Sequence, residues 1–134
     1  MKQDQENASA RGNVYSASCP SRAVLELVGS KWALLIIPLL AAKPERNNEL
    51  LRQVEGISQK VLTQTLRDLE RNGLVARIDH QTVPPHVEYR LTDMGRSLSQ
   101  MLAVVDRWAE DHVAQVVTAQ QAFDEGIGEK NSAK

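Results

Sequence analysis

The feature that most constrains this chain is a change of period in its middle. Between Gln59 and Asn72, Leu62, Leu66 and Leu69 recur at helical spacing and form one apolar stripe on a helix that turns about 100° per residue. Ser58 precedes the stripe as a cap, and Asn72-Gly73 stops it. Directly afterwards LVARI (Leu74 to Ile78) and VEYRL (Val87 to Leu91) alternate apolar and polar residues, the mark of half-buried strands. The linking DHQTVPPH is rich in turn formers, so the two runs read as a hairpin with a long polar tip.

Upstream, Pro20 opens an apolar-periodic stretch carrying Ala23, Val24, Leu27 and Val28, which Gly29-Ser30 ends. Pro suits the first helical position, so a helix is expected from there. Ser30 caps a second helix, Lys31 to about Ala42, in which Pro38 predicts a kink or an early end. A short third helix, about Asn48 to Val54, closes at Glu55-Gly56. Downstream, Thr92 caps a long last helix from Asp93 to about Val117. The expected fold is mainly α with a small β-hairpin wing: a winged helix-turn-helix with N- and C-terminal dimerisation helices. Residues 1–17 read as a flexible polar arm, 18–118 as the folded domain and 119–134 as a frayed tail.

Length and composition are consistent with that plan. A chain of 134 residues, 42% hydrophobic and 25% charged, holds one modest core. Its longest apolar run, Trp32 to Ala42, is too short to span a bilayer. The polar start, without a hydrophobic signal region, and the single cysteine point to the cytoplasm. Net charge is −1, yet residues 31–73 carry seven positive and five negative side chains while residues 93–134 carry four and seven. The basic excess falls on the segment that would face nucleic acid.

On the wheel of the fourth helix, Lys60, Thr63, Gln64, Arg67 and Arg71 lie opposite the leucines, with no carboxylate among them. A helix in the major groove needs such donors. Gln bonds bidentately to adenine, Arg and Lys bond guanine or phosphate, and Thr meets the thymine methyl. Gln59, Thr63 and Gln64 are the candidates for base contacts. Lys60, Arg67, Arg46, Arg77 and Arg90 are the candidates for phosphates. Ser58 stands at the helix start, where backbone N–H groups also hold phosphate. The competing readings are a solvated helix face and an ordinary surface hairpin; Asp79 and Glu88 dilute the positive charge of the wing.

The order of these segments resembles the HxlR family of bacterial regulators. Ser30-Lys31-Trp32 followed by Leu34-Leu35-Ile36, NELLRQV (Asn48 to Val54), GISQKVLTQTLRDLERNGLV (Gly56 to Val75) and VPPHVEYRLTDMGRSL (Val83 to Leu98) carry the likeness, with Cys19-Pro20 at its opening. The resemblance implies a winged-helix fold, a homodimer and binding to an operator in double-stranded DNA. It also implies a signal role for Cys19, because some members sense quinones, aldehydes or oxidants through a cysteine at this position. Three positions depart from the family pattern: Ser30 stands where Gly is usual, Asn47 where an aromatic residue is usual, and Pro38 where a polar residue is usual.

The last helix repeats apolar residues at spacings of three and four. Leu98, Met101, Leu102, Val105, Trp108 and His112 are its candidate dimer contacts; burial within one subunit is the alternative. Cys19 as the cap of the first helix, with Arg22 one turn in, would favour the thiolate; a buried, inert cysteine is the alternative. No metal, cofactor or catalytic grouping is expected. His80, His86 and His112 are scattered, and although His80 and His86 could face each other across the hairpin, two ligands do not make a zinc site. The rival function is a winged-helix protein–protein interaction module without DNA binding.

Overall fold

The structure is a computed structural model that describes residues 11–132. Its elements run α1 (Pro20–Val28), α2 (Lys31–Ala42), α3 (Asn47–Gln53), α4 (Gln59–Arg71), β1 (Val75–Asp79), β2 (Val87–Leu91) and α5 (Asp93–Ser132). The order expected from the sequence is the order found. The chain divides into two compact units, one up to Ser99 and one from Gln100. Of the N-terminal arm, residues 1–10 lie outside the described residues. Residues 13–19 are turned: the Ser16 N–H bonds the Asn13 carbonyl at 3.1 Å, and the Cys19 N–H bonds the Ser16 carbonyl at 3.1 Å.

Three helices, α2, α4 and α5, begin at a capping hydroxyl. The Ser30 hydroxyl accepts the Ala33 N–H at 3.3 Å, and the Ser58 hydroxyl accepts the Val61 N–H at 3.1 Å, each satisfying a donor the helix leaves unpaired. The Thr92 hydroxyl accepts the Gly95 N–H at 3.1 Å and donates to the Gly73 carbonyl, tying the start of α5 to the end of α4. Gly56 and Gly73 adopt φ values of 89° and 75°, the left-handed region that glycine enters without Cβ strain. Pro38 does not end α2, which continues to Ala42 with Ala33, Ile36, Ile37 and Leu40 buried. Packing of this apolar helix outweighs the backbone bond the proline removes.

The core of the first unit joins Ile36 and Ile37 of α2, Leu50 of α3, Leu62, Leu66 and Leu69 of α4, and Val75 and Leu91 of the hairpin, none more than 4% exposed. The strands pair antiparallel from Val75↔Leu91 to Asp79↔Val87. A single-residue bridge adds Glu45 to the outer side of β2, with the Glu45 N–H bonding the Tyr89 carbonyl at 3.0 Å and the Tyr89 N–H returning the bond at 2.8 Å. The loop before α3 is thereby stitched to the wing. Gly95 is buried against Leu74, the residue before β1, where any Cβ would collide with the Leu74 carbonyl oxygen.

α5 differs from expectation in length. It runs to Ser132 rather than ending near Val117, so residues 119–132 are helical instead of a frayed tail. No single helix in the described residues is long and apolar enough to cross a membrane.

Candidate nucleic-acid interface

α4 separates its faces as the wheel predicts. Leu62, Thr65, Leu66 and Leu69 are buried, while Ser58, Gln59, Lys60, Thr63, Gln64, Arg67 and Arg71 are exposed. Thr65 is the one polar residue on the inner side, and its hydroxyl donates to the Val61 carbonyl at 2.8 Å, so it brings no unpaired group into the core.

Two of the candidate base readers are held by neighbours. The Gln59 amide nitrogen donates to the Asn47 side-chain oxygen at 2.7 Å and to the Thr63 hydroxyl at 3.0 Å. Both amide hydrogens are thereby engaged, and the carbonyl oxygen is left to accept. The Gln64 amide nitrogen donates to Asp68 at 3.0 Å. Asn47 is not among the sequence candidates; the one clue to it is its place in a position that is usually aromatic.

The candidate phosphate contacts flank this helix. Arg77 and Arg90 are exposed on the wing. Arg46, exposed just before α3, reaches the wing tip through a guanidinium N–H to the Pro85 carbonyl at 3.4 Å. Among the described residues Lys60, Arg67, Arg77 and Arg90 form no ion pair with a carboxylate. Their charge is not neutralised locally.

The wing tip carries a grouping of three residues where the sequence suggests only two. His80 and His86 do face each other, with ring centroids 4.5 Å apart. Glu88 joins them, its Oε1 accepting from His80 Nε2 at 3.0 Å and from His86 Nε2 at 2.8 Å. The signal for Glu88 is its spacing, since residues two apart on a strand share a face.

Cys19 occupies the cap of α1 in extended conformation and is partly exposed. Its Sγ lies 3.0 Å from the Ser21 hydroxyl, and the Asn13 N–H donates to it at 3.5 Å. The Ser21 hydroxyl, and then the backbone N–H groups of Asn13 and Ser21, hold the thiol below its ordinary pKa against a small opposing effect of burial. Arg22, expected to supply positive charge, is not among the groups that lower it. It bonds the Tyr15 carbonyl at 3.4 Å and Glu26 at 3.5 Å.

In the second unit α5 exposes Met101, Val104, Val105 and Trp108 by between 51% and 66%, more apolar surface than a solvated helix needs. Leu98 and His112 are half-buried. Leu102 is 6% exposed and so does not belong to the open stripe. His112 stacks on Trp108 at a centroid distance of 4.5 Å, and its Nδ1–H donates to the Trp108 carbonyl at 2.8 Å.

The model of the HxlR-like helix-turn-helix family matches residues 27–117. This chain belongs to that family. The HTH-type transcriptional regulator YtfH of Escherichia coli is 41% identical over 106 residues, which is 79% of this chain and 84% of the relative. The solved structure of ytfH from Salmonella typhimurium superposes with a TM-score of 0.78 at 39% identity, covering 83% of this chain and 99% of that one. The redox regulator HypR in its reduced form gives a TM-score of 0.69 at 33% identity, over 74% of this HxlR-like chain and 98% of that one. Diamide-treated YodB from B. subtilis gives 0.60 at 33% identity, over 72% and 96%. The fold is therefore the winged helix-turn-helix of transcriptional regulators.

Proposed function

We propose that this HxlR-type regulator acts in the cytoplasm as a homodimer and binds an inverted-repeat operator through two copies of α4 in successive major grooves. The observation that carries this reading is the outward face of α4, whose centre holds no carboxylate, flanked by unpaired arginines on the wing. Gln59, Thr63 and Gln64 read base edges, with the Gln59 carbonyl oxygen set to accept from an adenine or cytosine amino group. Ser58, Lys60, Arg67, Arg46, Arg77 and Arg90 hold phosphates and fix the register. The exposed stripe of α5, with Met101, Val105 and Trp108 at its centre and Leu98 and His112 at its edges, is covered by the partner. Two-fold symmetry then spaces the half-sites by about one helical turn or a multiple of it. A footprint on the DNA upstream of the chain's own gene tests this: a protected, two-fold symmetric site supports it, and its absence there and at other regulated promoters overturns it.

A second reading concerns the signal. HypR and YodB are solved in reduced and oxidised or diamide-treated forms, and Cys19 has a hydroxyl and two N–H groups gathered on its sulfur. We infer that Cys19 is oxidised or alkylated by small electrophiles. With a single cysteine in the chain, the products are a bridge between the Cys19 residues of two subunits, a mixed disulfide or an adduct. Operator affinity before and after diamide, in the parent and in Cys19→Ser, decides it. Loss confined to the treated parent supports the switch, and equal affinity in all four samples removes it.

A further inference from the structure

We propose that the tip of the wing is a divalent transition-metal site with His80, His86 and Glu88 as its ligands. The hairpin brings them together. Asp79↔Val87 is the last strand pair, and the His80 N–H bonds the His86 carbonyl at 2.9 Å, so the two histidines form the next rung. Glu88 lies two residues beyond His86 and projects from the same face. One ligand atom from each of the three residues falls within 4.8 Å of the other two. Asp79, the nearest other carboxylate in the sequence, is turned to the Gln81 N–H at 2.8 Å and is not part of the group.

The donor set suits zinc and its neighbours. Two imidazole nitrogens and one carboxylate oxygen bind such ions at about 2.0–2.2 Å, and the preference for imidazole separates them from magnesium and calcium. The three groups are between 28% and 41% exposed, so an ion has a path in, and water can fill the remaining coordination positions. The chemistry of entry balances. Both Nε2 atoms now donate a hydrogen to the same Glu88 oxygen. On coordination, a neutral ring moves that hydrogen to Nδ1 and offers the Nε2 lone pair. A protonated ring releases one proton. The carboxylate exchanges two hydrogen bonds for one bond to the metal. The ion pins the closing rung of the wing, on the strand face that Glu88 shares with Arg90.

The test is titration of tag-free protein with Zn2+ by calorimetry and with Co2+ by visible absorption, in the parent, His86→Ala, Glu88→Gln and Cys19→Ser. These substitutions lie on exposed or half-exposed positions, and circular dichroism checks that each variant keeps its helices. One equivalent per chain is expected, weakened at least about tenfold in His86→Ala and Glu88→Gln and unchanged in Cys19→Ser. Nitrogen-15 spectra of the parent should show Nε2 of both wing histidines becoming the ligated atom when Zn2+ is added. Unchanged affinity in His86→Ala, loss in Cys19→Ser, or no binding to the parent at millimolar metal overturns the site.

Discussion

At the scale of single residues, small hydrogen-bonding side chains set the chemistry. The Cys19 thiol is tuned by what Ser21 and Asn13 donate to its sulfur, and Arg22, the natural activator by sequence position, is spent on Tyr15 and Glu26. The reactive form is the thiolate. A lowered pKa therefore moves the rise of alkylation rate with pH to a midpoint below the ordinary value of about 8.5. Iodoacetamide rates measured against pH should show that displaced midpoint in the parent. Ser21→Ala should return the midpoint toward the ordinary value, because it removes the largest of the stabilising bonds. Identical profiles would show that Ser21 does not tune the thiol. Gln59 follows the same logic: Asn47 and Thr63 engage both of its amide hydrogens, which under the proposed reading would decide which base edges it can meet.

At the scale of elements, two glycines of α5 show how context sets the sign of one substitution. Gly95→Ala drives a methyl group into the Leu74 carbonyl oxygen, and overpacking of this kind costs about 1–3 kcal/mol. A methyl group added at Gly126 would meet nothing within 4 Å, so Gly126→Ala should favour the helix by about 0.5–1 kcal/mol. Chemical denaturation of the two variants checks the contrast; equal effects would contradict the packing described for Gly95. Regular spacing makes much of the fold legible in the sequence: the α4 stripe, the period-two strands and the caps Ser30, Ser58 and Thr92 all follow local rules. The continuation of α5 past Val117 is hidden because Thr118 to Ala122 carry no apolar period, although alanine and glutamine there are good helix formers. The Glu45–Tyr89 bridge involves one residue and leaves no pattern. In the site, the outward face of α4 is readable from the wheel. Asn47 is not, because it acts through a contact between separate elements, and Glu88 is signalled only by its two-residue spacing from His86.

At the scale of the whole molecule, the proposed dimer accounts for the apolar surface of α5. Trp108 is 58% exposed and Met101 64%, and aromatic anchors of this kind carry a large share of interface energy, at least about 2 kcal/mol when truncated. Light scattering should find a dimer at micromolar concentration, and Trp108→Asp should shift it to monomer with helix content retained. A stable monomeric parent would contradict the assembly. The central claim is that α4 and the wing form the DNA-binding face, and its most direct measurement is the affinity for duplex DNA as a function of salt, in the parent and in Arg67→Ala. A phosphate-binding face predicts a steep linear fall of log affinity with log salt concentration. Removing the Arg67 contact should weaken binding on every sequence and reduce the slope by about one. A parent with no affinity for duplex DNA at low salt, or an Arg67→Ala variant with the same affinity and slope as the parent, would contradict the account.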